Sequence, residues 1–285
     1  MKQYFYFGPW LVEYTPEDGA RLDRLCYENY DLITTEIKSF RPPKADYGEY
    51  ENRPVYGYDD CFPSVEPCPF PGLNWNVPDH GELCWLRWRV DVESDRLIFT
   101  TKSKALPAAF VREMRFSNNC ITWIFTVRNL GDKPLPFQHV MHPLMPLREI
   151  AGFELPPFDS VTDEINNRTL FLHDSAAVQE FLLNQAAGTA NMLLLQKVEN
   201  GKLSWTYRNG LRINVTFPVQ LFPTIGIWWN NTGYPDEEGC RRNECALEPI
   251  PGFTSSLAEV FAEGKSLVAE PAKDFTWQID WKITH

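Results

Sequence analysis

The chain has 285 residues, 44% of them hydrophobic and 14% aromatic, and a formal net charge of −11. That apolar content supports a folded core, and the acidic balance argues against nucleic acid or an anionic membrane as partner, since both call for basic patches. No run approaches the ~18 apolar residues of a membrane span.

In chain order, the opening "MKQYFYFGPW" lacks the apolar run of a secretory leader. Seven cysteines, an odd number, lie scattered at 26, 61, 68, 84, 120, 240 and 245. Together these features predict a reduced, cytoplasmic protein. "ADYGEYENRPVYGYDDCFPSVEPCPFPG" (Ala45–Gly72) is rich in Pro, Gly, Tyr and acid, which reads as a long functional loop rather than sheet core. In "NVPDHGELCW", His80 precedes Gly81, where backbone can come close to a ligand. "LCWLRWRVDV" (Leu83–Val92) alternates bulky and charged residues, predicting a strand with Arg87 and Arg89 opposite Trp88 and Val90.

"FVREMRFS" and "CITWIFTVRNL" flank Asn118-Asn119, a hairpin turn between paired strands. A helix is expected near Ser175–Asn184, and a shorter one near Ser255–Ala262. "KLSWTYRNGLRINVTFPVQ" carries Asn209-Gly210, the strongest turn signal in the chain. "NTGYPDEEGCRRNECALEPIPGF" runs from a loop into Glu248, which stands between Ala246-Leu247 and Pro249. The closing "FTWQIDWKITH" alternates again. Many strands at short spacing and 23 prolines predict an all-β fold, a large antiparallel β-sandwich with few short helices. No linker or repeat divides it, so a single domain over residues 1–285 is expected.

Two of the five histidines fall in "FQHVMHPLMPL". Pro134, Pro136, Pro143 and Pro146 rule out a helix there and favour extended backbone. His139 and His142 then point to opposite faces, so at most one of them works at a given site. Histidine beside a half-buried carboxylate such as Glu248 suits general acid–base chemistry. The pairs Cys61/Cys68 and Cys240/Cys245 lack the spacing and histidine partners of zinc sites. Phosphate-loop, dinucleotide and nucleophile-elbow motifs are absent. A cofactor-free acid–base enzyme or a binding protein remains.

At "VRNLGDKPLPFQHVMHPLMPL" the chain resembles the aldose 1-epimerase (galactose mutarotase-like) superfamily, in its divergent mutarotase-related branch. Asn129, Gly131, Asp132, Pro134, Leu135 and Pro136 lead there to His142-Pro143. "DHGELCW" is similar to the family's His-Gly segment, and "IGIWWNN" followed by "ECALEPIPG" to its Gly-x-Trp strand and Glu-Pro stretch. The resemblance implies an isomerase of carbohydrate metabolism that interconverts the α and β anomers of an aldohexose. Glu248 would act as base, His142 as acid and His80 as their assistant, with no metal or other cofactor. It implies substrate contacts from Trp228 and Trp85 by stacking and from Arg87. Asp59 or Asp60 stands where the family has an Asn-Arg pair and would take over hydroxyl recognition. The partner is a small sugar, free or phosphorylated, with Arg53, Arg87, Arg241 and Arg242 available for a phosphate; the chain would be a monomer or homodimer. Two alternatives share the fold: a non-catalytic carbohydrate-binding protein, or a carbohydrate-cleaving enzyme pairing Glu248 with Asp59 or Asp60.

Overall fold

Burial that alternates with period two marks the long strands Ala108–Phe116, Cys120–Asn129 and Asp274–Thr284, so each presents one apolar face to a shared core. A computed structural model describes residues 1–36, 50–235 and 241–285. An eight-stranded antiparallel sheet runs in the order Ile150–Glu154, Lys202–Tyr207, Arg212–Thr216, Asp274–Thr284, Cys120–Asn129, Ala108–Phe116, Arg96–Lys102 and Arg89–Val92. Two six-stranded sheets cover its inner face. One contains Trp10–Thr15, Arg21–Tyr27, Tyr58–Cys61 and Val140–Pro143; the other contains Met145–Pro146, Asn243–Ile250, Thr224–Asn231 and Thr189–Gln196. Aromatic contacts close the sandwich: Tyr14 meets Phe99 at 5.2 Å, Tyr58 meets Trp123 at 4.9 Å, and Phe153 meets Trp229 at 5.8 Å. Each such side chain, fully buried, contributes about 1.5–3 kcal/mol. The fold class is the expected all-β sandwich, with two short α-helices among the described residues.

Local signals place several elements as expected. Phe116 pairs with Ile121 across the Asn118-Asn119 turn, and Tyr207 pairs with Leu211 across Asn209-Gly210, with Gly210 at φ +91°. The first helix spans Ser175–Leu183, capped by Asp174, which accepts from the Ala177 N–H at 2.8 Å. The second is Leu257–Ala262.

Two expectations need correction. Leu83–Val92 is not one strand: Leu83–Trp85 forms a 3₁₀ turn and only Arg89–Val92 joins the sheet. Leu83, Cys84, Trp85, Leu86 and Trp88 are all buried, so this run is enclosed on several sides rather than amphipathic, and Trp88 Nε1–H donates to the Leu83 carbonyl. The acidic stretch after Ala45 is not all loop either, since Tyr58–Cys61 is a fully buried strand. Its acids are tolerated there because Arg53 neutralises Asp59 and Arg112 neutralises Asp60. Residues 45–49 of that stretch lie outside the described residues, as does Cys240.

Candidate active site

Where the two six-stranded sheets meet, a cleft of about 440 Å³ opens among Tyr50, His80, His142, Trp228, Glu244 and Glu248. Strand register decides which side chains reach it. Val140–Pro143 pairs antiparallel with Tyr58–Cys61, His142 opposite Asp59 and Val140 opposite Cys61. With period two, Asp59, Cys61 and His142 share one face, and Tyr58 and Asp60 the other. On the second sheet Glu248 lies opposite Gly226, and Trp228 opposite both Ala246 and Met192.

Glu248 is buried, and its Oε1 has no hydrogen-bond partner. That oxygen stands 3.8 Å from His142 Nε2. Burial pushes the Glu248 carboxyl up to about 8. The same burial, joined by the neighbours His80, Arg242 and Arg53, holds the His142 imidazole well below its ordinary range. Desolvation thus favours the uncharged form of both groups.

His80 enters from a tight turn. It sits at φ +59° and Gly81 at φ +72°, two successive left-handed residues. A Cβ on Gly81 would lie 1.9 Å from the Phe62 carbonyl oxygen, so glycine here serves a close approach to neighbouring backbone, not to a ligand. The His80 ring stacks on Tyr50 at 3.7 Å between centroids and lies 4.8 Å from the His142 ring. Its Nδ1 is 2.8 Å from the Asp79 carboxylate. Burial raises the Asp79 carboxyl, but His80 more than offsets this and holds it below the ordinary value. Tyr50 donates its hydroxyl hydrogen to Asp59 at 2.9 Å and lies 3.4 Å from His142 Nδ1. Because the carboxylate can only accept, the Nδ1–H of His142 is directed to the Tyr50 oxygen, leaving the Nε2 lone pair facing Glu248.

The other expected residues divide. Trp228 lines the cleft and holds Glu244 through its Nε1–H at 3.4 Å. Trp85 does not line it: the ring packs behind the wall with Tyr50, Val55 and Leu144, and cannot stack on a sugar in the cleft. Asp59 lies one layer down, holding Tyr50 and Arg53. Asp60 faces the opposite side, where Arg112, His139 and Tyr58 take its oxygens at 2.6, 3.0 and 2.6 Å. Arg87 is exposed at the surface and paired with Glu17. Hydroxyl recognition by Asp60 and substrate contact by Arg87 therefore find no support in their placement. His139 turns away from His142, as expected, into full burial.

Several cleft residues were not singled out individually in the sequence, although Tyr50, Asp79 and Glu244 fall within stretches noted there. Tyr50, Asp79, Glu164, Asn166 and Glu244 all line it. Glu164 Oε2 accepts from the Ser255 hydroxyl at 2.6 Å. Arg242 is gripped by both Glu51 oxygens at 2.6 and 2.9 Å and by Glu244 at 2.8 Å. Cys61, fully buried, brings its thiol within 4.8 Å of ligating atoms on both His80 and His142.

No protein-family model and no curated protein matches this sequence. Solved structures do. The Slr1438 protein from Synechocystis sp. PCC 6803 superposes with TM-score 0.74 at 16% identity, over 100% of this chain and 96% of its own. The galactose mutarotase related enzyme from Lactobacillus acidophilus gives 0.69 at 16% identity, over 100% and 98%. An aldose epimerase homologue from C. elegans gives 0.67 at 14% identity, over 100% and 99%. The resemblance in sequence to galactose mutarotase-like proteins is thus matched in structure, and the fold is that of the galactose mutarotase-like β-sandwiches.

Proposed function

We propose that the protein is an aldose 1-epimerase that interconverts the anomers of an unphosphorylated aldohexose, with Glu248 as base, His142 as acid and His80 hydrogen-bonding near the ring oxygen. The observation that carries this reading is the unpartnered, buried Oε1 of Glu248, 3.8 Å from His142 Nε2 on the floor of a sugar-sized cleft. A buried acceptor left unmatched costs about 1–3 kcal/mol, a cost that a bound hydroxyl would relieve.

Opening a cyclic hemiacetal takes one proton from the anomeric hydroxyl and gives one to the ring oxygen. Glu248 and His142 together need only one proton for this. In the empty cleft, burial leaves it on Glu248. Moving it to His142 creates the carboxylate base and imidazolium acid without exchange with solvent. After rotation about the first carbon–carbon bond the roles reverse and the ring closes on the other face. Trp228 offers an aromatic surface to the apolar face of the sugar.

The charges of the cleft favour a neutral sugar. Glu51, Glu66, Asp79, Glu164, Glu244 and Glu248 line it, and Arg242 is already taken by two of them. Arg53 is buried between Asp18 and Asp59. A phosphate would thus meet a surplus of carboxylates.

Polarimetry of freshly dissolved α-glucose and α-galactose, in chelator-containing buffer, tests the reading. Acceleration over buffer is expected, and kcat/KM for hexose 6-phosphates should be at least tenfold lower. No acceleration with any aldose, alongside retained sugar binding, would make this a carbohydrate-binding protein instead.

A further inference from the structure

We propose that His80 and His142 on the cleft wall, with Cys61 buried behind them, form a site for a thiophilic divalent cation, of which Zn²⁺ is the best match. One ligating atom from each lies within 4.8 Å of the other two. They converge from three places in the chain. Cys61 and His142 project from one face of adjacent strands, with Val140 opposite Cys61. His80 is carried in by the left-handed turn whose Gly81 bridges to Phe62, the residue after Cys61. One sulfur and two imidazole nitrogens suit Zn²⁺ and related soft cations, and exclude Mg²⁺ and Ca²⁺, which take oxygen ligands. Bond lengths of about 2.0–2.3 Å bring tetrahedral donors to roughly 3.5 Å apart, so the trio need contract by only about 1 Å.

The surroundings are those of a metal site as well. The Asp79 carboxylate takes the Nδ1 side of His80 at 2.8 Å, orienting the ring and leaving Nε2 free, the arrangement in which a carboxylate steadies a ligating histidine. The Tyr50 hydroxyl does the same for His142 Nδ1 and is itself anchored on Asp59. The second, independent sign is Glu248 Oε1, buried without a partner and 3.8 Å from His142 Nε2. It is placed to complete the coordination or to accept from a metal-bound water. Binding replaces the S–H bond of Cys61 by a metal–thiolate bond and releases that proton to solvent. Since the cation occupies both histidines, it blocks the acid–base chemistry: the site is inhibitory.

The inhibition rests on the epimerase reading; the binding does not, and the experiment separates the two. Full-length protein, stripped with chelator, is titrated with Co²⁺ as a spectroscopic probe and then with Zn²⁺. A thiolate-to-cobalt charge-transfer band should grow to one equivalent and vanish as Zn²⁺ displaces Co²⁺. The band should be absent in Cys61→Ser and retained in Cys120→Ser, which removes a cysteine outside the cleft. Zn²⁺ should inhibit mutarotation of the parent protein, and the inhibition constant should weaken by ~10–100-fold in Cys61→Ser while its metal-free turnover stays within about twofold. If Cys61→Ser does not fold, His80→Gln carries the same spectroscopic test. No band, or a band and Zn²⁺ affinity unchanged in these variants, overturns the site. A cobalt band without any mutarotation would leave the metal site standing and remove the epimerase.

Discussion

Two histidines three residues apart meet opposite fates in this molecule. His139 and His142 flank Val140 and Met141, His142 on the short strand Val140–Pro143 and His139 just before it; both are buried, yet their polar surroundings differ in kind. On the core face His139 is tied into an ion-pair network: its Nε2 lies 3.0 Å from Asp60, whose other oxygen is held by Arg112 at 2.6 Å, while its Nδ1 has no partner. Burial raises the Asp60 carboxyl, but Arg112 and His139 outweigh it and hold it below the ordinary range. On the cleft face, His142 and Glu248 stand side by side without such compensation, and the carboxyl rises to about 8. A carboxylate whose oxygens are held by a guanidinium, an imidazole and a hydroxyl fastens a core, whereas an unpartnered one that lines a cavity leaves binding capacity for a ligand.

The comparison is broken most sharply at Glu248. Glu248→Gln keeps shape and most hydrogen bonding but cannot exchange a proton. Turnover should fall by ~10²–10⁴-fold while sugar affinity stays within about tenfold, because the lost interaction belongs to the transition state. Polarimetry with parallel sugar titration reads both numbers; unchanged mutarotation would remove Glu248 from the mechanism. Next in size, His142→Ala should lower turnover by ~10²-fold or more, and His139→Ala should leave turnover per folded molecule nearly intact. His139→Ala should instead lose about 1–3 kcal/mol in denaturant unfolding, since Asp60 is left short of a partner in the dry core. Equal catalytic losses in both variants would mean that the two faces are not functionally distinct.

Much of this contrast was legible in the sequence, and the reasons are local. Proline around "FQHVMHPLMPL" dictates extended backbone, and extended backbone sends residues 139 and 142 to opposite sides. Asn118-Asn119 and Asn209-Gly210 were equally readable, because turn chemistry acts over four residues. What stayed hidden was assembled by register between distant strands. Nothing near Cys61 in sequence signals His80 or His142, whose approach depends on Val140 pairing with Cys61 and on a strained turn at His80-Gly81. Asp59 and Asp60 were indistinguishable as neighbours in "YGYDDC"; only the pleat of Tyr58–Cys61 separates them. Trp85 shows the opposite failing, since an aromatic next to a candidate histidine looks like a stacking surface until burial assigns it to the wall.

A finer edge of the comparison is titration. If one shared proton on Glu248 and His142 supports turnover, the pH profile belongs to the pair rather than to either residue. Activity in chelator-containing buffer should form a plateau. It should decline roughly tenfold per pH unit above about 8, as the pair loses its proton from Glu248. It should decline again at acid pH below the ordinary histidine range, where His142 takes up a second proton. An alkaline limb unmoved in position or slope by Glu248→Gln, measured on its residual activity, would assign that limb to another group.

The smallest expected effect concerns stability and runs against the usual outcome of mutating a buried residue. Glu248 has its carboxyl raised from 4.5 to about 8 by burial. Below pH 4.5 it is protonated in both folded and unfolded chains and contributes no pH dependence. Between 4.5 and about 8 the unfolded chain releases the proton while the folded one retains it, so stability declines as pH rises through this window. Above about 8 the full cost has been incurred, because a carboxylate is then held in a dry site without a partner. Glutamine resembles the protonated acid at every pH and escapes this slope. Glu248→Gln should therefore match the parent near pH 4 and exceed it at pH 8–9, by about 1–3 kcal/mol or roughly 2–6 °C in Tm. His139→Ala, by contrast, should be destabilised across the whole range. Differential scanning calorimetry at pH 4, 6 and 8.5 is the measurement. A Glu248→Gln variant less stable than the parent at pH 8.5 would mean that this carboxylate is a structural member of the core, and the distinction drawn between the two faces would fail at the residue on which it most depends.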